Sequence, residues 1–507
     1  MTQALSAKNE KADTEKAAAE QQMDWKSLWV ASFILFLVFV QFSIYFASLW
    51  PYLTEITNNE VKESFYGWVI AAFSFGQMVS SPIYGFISNK IKKSRPPIAV
   101  GVILSVSANI IYICVESFPY NWQQYMVLVC RLICGLGAGI AGVIRAYVAT
   151  TSTVEHRTRA IGIATASMAL GVTAGPAIQV AFTPIGRHAF TVGPFHVNEY
   201  TAPACVSVVS CAILLILLFT IFRDSRQTYR GLAARRDEDP YKVLPRFDKV
   251  AAWVCVWCYF TMYFCITNQE TVESPYTMAV FNWNSSQAVR YNSIIFSVSA
   301  FLQALCYVGY AILGKRINER VSIVTGLSLL GAFYVVTYSW PFYGGKLNFV
   351  KVLNTTEHTN TSIFPTTTAS SDQDAGCKPE FTWCNYTPPL PLVVYLCAYP
   401  MMSIGMPSAN VALSTIYSKI LGPRRQGLMQ SLMIMSGSCA RLLGPILISF
   451  LFANYGPRVA WLMTTTAVAS GVMLAFICWN RLVPLNPSPT LKPGDELKYT
   501  GGTLYRF

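Results

Sequence analysis

Long apolar runs, each about twenty residues and separated by short polar stretches, dominate this chain. Twelve are read at residues 28–50, 67–88, 97–115, 124–149, 159–182, 203–222, 250–270, 290–313, 321–340, 391–418, 427–453 and 458–480. A stretch such as WVASFILFLVFVQFSIYFASLW is apolar throughout, without the strict polar–apolar alternation of an outer-membrane strand. Each run is therefore predicted as a membrane-spanning helix, which makes the chain an all-α membrane protein with 12 transmembrane helices. The first run is too long for a cleavable signal and lies behind a polar N-tail, so it is expected to insert and stay.

The pattern also divides the chain. Residues 1–27 form a polar N-tail, expected to be cytosolic and disordered. Residues 28–222 hold six spans, residues 223–249 are a charged linker, and residues 250–481 hold six more, interrupted by a long polar loop at 341–389. A polar C-tail, residues 482–507, follows. The halves repeat each other: GFISNKIKKSR (85–95) follows the second span and GKRINER (314–320) follows the eighth. GVTAGPAI in the fifth span is matched by ARLLGPIL in the eleventh. Two related bundles with inserted polar loops are a secondary transporter's signature.

Composition agrees, with 53% hydrophobic and 12% charged residues and a mean hydropathy of +0.40. Of the 38 Lys and Arg, 28 fall in the N-tail, the C-tail and alternate loops, and 7 in the opposite loops. Cations are retained in the cytosol, so both termini and the linker are expected there, beside the lipid bilayer. The net charge of +13 then calls for no nucleic-acid partner. N-x-S/T sequons begin at Asn284, Asn354, Asn360 and Asn385, all in segments expected on the far side. Cys377 and Cys384 share the long loop and are candidates for a disulfide, with two free thiols as the alternative. The chain shows no hydrolase elbow, P-loop, paired-carboxylate site or Cys/His metal cluster, so no enzyme activity, cofactor or metal is expected.

A G-x-x-x-[DN]-[RK] loop at Gly85, Asn89 and Lys90, an R-x-x-x-G-x-G-A-G run beginning at Arg131, and G-x-x-x-G-P at Gly171, Gly175 and Pro176 resemble the major facilitator superfamily. FYGWVIAAFSFGQMVSSPIYGFISN, SLWPYL, ALSTIYSKILGPRRQG and SGSCARLLGPILIS narrow the resemblance to a lysosomal branch of it, over residues 28–481. The resemblance implies the major facilitator fold, two pseudo-symmetric six-helix bundles with the first, fourth, seventh and tenth helices lining a central cavity. It implies transport by alternating access, an endolysosomal membrane and a small-molecule or ion substrate; an anion channel and a non-transporting receptor or scaffold are the alternatives. YRGL (229–232) and YKVL (241–244) fit a Tyr-x-x-apolar pattern for sorting adaptors, and the plasma membrane is the alternative location.

Charges inside spans are costly, about 2.5–3.5 kcal/mol at mid-helix, and mark function by default. Arg131 and Arg145 stand fourteen residues apart in one span, about 21 Å along a regular helix and about 40° around it. Arg145 is the first candidate to hold an anion; snorkelling towards headgroups is the alternative for both. Glu270 and Glu273 follow the seventh apolar run. If that helix stops near 270 they are rim residues; if it continues through Pro275, Glu270 lies at cavity depth and suits a coupling proton. Arg441, flanked by Gly444 and Pro445, is expected to make an interhelical contact. The Gly-x-x-x-Gly and Gly-Pro pairs let helices pack closely. Family members commonly resemble an Asp at position 89; Asn89 retains hydrogen bonding and lacks the ion pair, so it is either a differently built cytosolic latch or part of a solvated loop.

Overall fold

The computed structural model describes residues 25–45, 48–57, 63–152, 156–182, 190–192, 195–222, 247–283, 285–313, 316–345, 347, 376–377, 381–422, 426–485, 497–498 and 504–505. The half before the linker contains α1 (Trp25–Ser43), α2 (Leu49–Ile56), α3 (Glu63–Ile91), α4 (Arg95–Ile113), α5 (Tyr120–Ala138), α6 (Ala141–Thr151), α7 (Arg157–Phe182) and α8 (Ala202–Thr220). The half after it contains α9 (Lys249–Phe281), α10 (Ser285–Leu313), α11 (Glu319–Val336), α12 (Leu392–Leu421), α13 (Gly427–Tyr455) and α14 (Pro457–Ile477). The short hairpin of β1 (Phe190–Val192) and β2 (Phe195–Val197) precedes α8.

Eleven spans, with α5 and α6 taken as one, are long and apolar enough to cross a membrane. The twelfth, α7, has 26 residues, about 39 Å of helix, and is rich in Ala, Gly and Thr. The same small residues explain its packing. A Cβ on Gly171 would stand 2.5 Å from the Phe36 carbonyl oxygen of α1, and one on Gly175 2.1 Å from Ser43 Oγ, so only glycine allows the approach. In the other half Gly444 plays the matching part: its Cβ would lie 2.8 Å from Asn268 Oδ1 of α9, with Pro445 following inside α13.

Three spans depart from the limits read off the sequence. The first ends α1 at Ser43 and resumes as α2 up to Ile56. The fourth is broken between α5 and α6, where a glycine-rich run seats itself on its neighbours: a Cβ on Gly135 would meet the Phe73 carbonyl oxygen at 2.1 Å. The seventh does not stop at 270, for α9 runs through Pro275 to Phe281, where Asn282 caps it in a left-handed conformation. A proline costs one backbone bond, which a long buried helix can tolerate.

Phe222, at the end of α8, meets Arg95, and Asp248, before α9, pairs with Arg481, whereas Trp383 packs on Gly456 before α14; these two ends of the bundles are called the linker side and the loop side. Among the described residues, hydrogen bonds and close glycine contacts between the halves fall from mid-span to the linker side. Along α3, Gln77 Oε1 accepts from Ser438 Oγ at 2.8 Å and Ser81 Oγ donates to the Ser431 carbonyl at 3.2 Å. Gly85 and Gly142 also pack on Ser431, where added Cβ atoms would be 2.5 Å from its Oγ. The last turn of α3 ends on Asn89, whose Oδ1 accepts from the Gly427 backbone N–H at the start of α13, 3.1 Å away. The next residue, Lys90, is exposed.

On the loop side, Cys377 and Cys384 are disulfide-bonded, with Cα atoms 6.4 Å apart. The clip holds Trp383, fully buried against Phe452 and against Gly456, whose φ of +83° and crowded Cα favour glycine. Asn385 is exposed beside it. Asn284, Asn354 and Asn360 lie outside the described residues.

Candidate substrate path between the halves

The face that α9 turns towards the other half carries Tyr259, Tyr263, Ile266, Glu270 and Glu273, recurring every three or four residues. This stripe runs about 21 Å along the helix. At its linker end stands Arg145, buried in α6. Its Nη1 donates to the Tyr259 hydroxyl at 2.8 Å and its Nη2 meets Met168 Sδ at 3.2 Å. The guanidinium also lies 5.7 Å from the Tyr259 ring centroid. Tyr259 leans on Tyr263, with centroids 4.8 Å apart.

Beyond Tyr263 comes Arg441. Its guanidinium carbon is 4.5 Å from the Tyr263 centroid and 5.4 Å from that of Phe42 in α1, so this α13 cation is clamped between rings from both halves. Each such contact with a ring face is worth about 0.5–2 kcal/mol, depending on desolvation. Glu270 follows within electrostatic reach of Arg441 and is exposed. Because α9 continues past it to Phe281, Glu270 stands within the helix and not at its end. Glu273, one turn further on, is buried and accepts from the Tyr399 hydroxyl at 2.7 Å. Gln269 Nε2 donates to Tyr395 at 3.2 Å beside it.

Arg131 is placed differently from Arg145. It stays within its own half, its guanidinium 4.9 Å from the Phe73 centroid and 5.8 Å from that of Tyr45. Its Nε and Nη1 have no hydrogen-bond partner among the described residues. The α5–α6 break makes the angle of a regular helix inapplicable to the pair. Among the described residues no carboxylate is within salt-bridge distance of Arg131, Arg145 or Arg441.

The structure thus gathers Arg145, Arg441, Glu270 and Glu273 along one line and leaves Arg131 to one side. Tyr259 and Tyr263, which join the two central arginines, were not singled out in the sequence. Their spacing ahead of Glu270 was a usable signal, because 259, 263, 266, 270 and 273 keep one helical face. The polar and small residues at 77, 81, 85 and 89, every fourth position, likewise announce the face of α3 that meets α13.

Two helical bundles that meet over Arg145 and Arg441 and are packed together on the linker side have the build of a polytopic membrane transporter. Residues 31–353 match the Major Facilitator Superfamily. Over 474 residues the chain is 32% identical to Major facilitator superfamily domain-containing protein 8 of Xenopus laevis, covering 91% of this chain and 92% of that protein. The chain belongs to the Major Facilitator Superfamily. The tetracycline resistance protein, class H, of Pasteurella multocida is 21% identical over 302 residues, 58% of this chain and 70% of that one. Among solved structures, the human organic anion transporter MFSD10 (TETRAN) shares the fold with a TM-score of 0.63 at 16% identity, covering 90% of this chain and 100% of that one. The proton:xylose symporter XylE does so with a TM-score of 0.66 at 11% identity, covering 92% and 97%.

Proposed function

We propose that this chain is a secondary transporter of a small anionic solute across an endolysosomal membrane, working by alternating access with both termini in the cytosol. One observation carries the anionic reading: Arg145 and Arg441 stand between the bundles on aromatic faces, with no carboxylate at salt-bridge distance among the described residues. Leaving a cation unneutralised at membrane depth costs several kcal/mol, and ring faces offset only part of it. A solute carrying a carboxylate, phosphate or sulfate would complete the charge through the forked guanidinium.

Glu270 is the coupling group in this reading, because it is exposed and lies within electrostatic reach of the Arg441 charge. Protonation there would release Arg441 to the solute, so proton and anion movements become linked. The closed seam at α3 and α13 supports a carrier over a channel, since a carrier needs one end shut while the other is open. The endolysosomal location rests on the similarity to domain-containing protein 8 and on the two Tyr-based sequences in the linker, which suit sorting adaptors.

Metabolite profiling of endolysosomes with and without the protein identifies the cargo, and flux into reconstituted liposomes then measures its transport. We expect an accumulated anion, saturable counterflow, loss of flux in Arg145→Gln, and flux insensitive to a proton gradient in Glu270→Gln. Steady current with a Nernstian reversal potential would assign a channel instead. Unchanged function on neutralising both Arg145 and Glu270 would mean that the chain does not transport by this path.

A further inference from the structure

The two arginines of the path differ in access. Arg145 is 6% exposed and its guanidinium is engaged by Tyr259 and Met168. It lies one turn nearer the linker side than Gly142, and on that side of it Arg157 reaches the Ser152 and Ser418 carbonyls, Thr158 donates to Glu319 and Asn89 meets Gly427. Arg441 is only half-buried, and Glu270 and Ser274, about 40° apart around α9, are both exposed. Each guanidinium lies over one of the paired rings of Tyr259 and Tyr263.

We infer that Arg441 and Arg145 are two successive stations for one anion, Arg441 serving the loop side and Arg145 the linker side, with the Tyr259–Tyr263 pair as the barrier between them. This deepens the function proposed above and rests on its anionic reading. Tyr259, Tyr263 and Arg441 belong to one half, Arg145 and Phe42 to the other, so rocking the halves must change the Arg145–Tyr259 and Arg441–Phe42 contacts together while Arg441 stays on Tyr263. Opening the Ser431 seam would uncover Arg145 while closing the loop side over Arg441. An anion held first by Arg441 then has a second cation behind the tyrosines, and the binding that draws it in does not trap it at one place.

The test reads access and does not depend on knowing the cargo. Arg441→Cys and Arg145→Cys are made in the full-length chain, with Cys114, Cys205, Cys306, Cys397 and Cys439, the free cysteines that are not buried, changed to Ser. A membrane-impermeant thiol reagent is applied to vesicles from either side. With the native seam, labelling from the loop side is expected to be about tenfold faster or more at position 441 than at 145, as for a minor state populated at a few per cent. In a Gly85→Leu background, whose added carbon meets Ser431, position 145 should label from the linker side and position 441 should slow. Should that chain not fold, Asn89→Ala loosens the same seam without added bulk and should give the same reversal at smaller size. Equal labelling of both positions from one side, or labelling of 145 from the loop side with the native seam, would overturn the two-station inference. Anion flux without reversal sinks this inference alone, whereas reversal without any anion flux sinks the reading on which it rests.

Discussion

The linker side is shut by two seams of different chemistry. Along α3 and α13 the seam is neutral: Gly85, Gly142 and Ser431 touch with no room for a further carbon, and Asn89 caps α13 across the halves. Where α7 meets the starts and ends of α11 and α12, the seam is charged and looser. Glu319 accepts from Thr158 Oγ1 at 3.2 Å and pairs with Lys419 at 2.5 Å, while Arg157 reaches the Ser418 carbonyl at 3.5 Å. The nearest atom to a Cβ on Gly162 would be Ala311 N, at an ordinary 3.4 Å. These seams descend from the two repeats, yet Asn318 caps its own helix α11 whereas Asn89 caps a helix of the other half. One repeat thus closes by shape and a helix dipole, the other by hydrogen bonds from α7 onto the Glu319–Lys419 pair and the Ser418 carbonyl of the second half.

If so, bulk should disturb the first seam more than any charge change disturbs the second. Gly142→Leu would drive a carbon to within 2.7 Å of Ser431 Cα. Overpacking of this kind costs about 1–3 kcal/mol, and here it falls on the state closed at the linker side. Transport in reconstituted liposomes should drop by about tenfold or more while the chain stays folded in thermal melts. A rate close to the unaltered one would mean that the neutral seam is not a closure.

Glu319→Gln should have a middle effect. The pair is 15% exposed at each side chain, so its loss is expected to weaken closure by about 1 kcal/mol. Raising the ionic strength should act in the same direction on the unaltered chain and have little further effect on the variant. Equal salt sensitivity of both would place the dependence elsewhere.

The smallest effect should come from Asn89→Asp. A carboxylate at the N-terminus of α13 adds about 0.3–1 kcal/mol through the helix dipole, a shift of about two- to fivefold towards the state closed at the linker side. Asn89→Ala should shift it the other way by about 1 kcal/mol, since it removes a cap. Thiol labelling of the α3–α13 seam in vesicles checks both directions; the same shift in both variants would show that the cap does not hold the seam.

Much of the fold was legible because spans must be continuous in hydrocarbon, and runs, linker and repeats are all local patterns. The close packing of Gly171 and Gly175, and of Gly444, was legible for the same reason. Other features were not. Whether α9 ended before Glu270 or passed through Pro275 depended on neighbours that could support a missing backbone bond. Arg441 looked like a supporting interhelical residue in the eleventh span, and the structure brings it between Phe42 and Tyr263 on the path itself. Arg131 and Arg145 looked alike in one span, but the break after Gly139 sends them to different surroundings.

The amino-acid order alone determined how many times the chain crosses the membrane, where it divides and which polar groups must live in lipid, because the bilayer judges each segment by its own hydropathy and charge. Which of those groups face one another was decided only when the two bundles met. The approach of α6, α9 and α13 depends on shape complementarity between residues more than a hundred positions apart, and no local pattern carries that information.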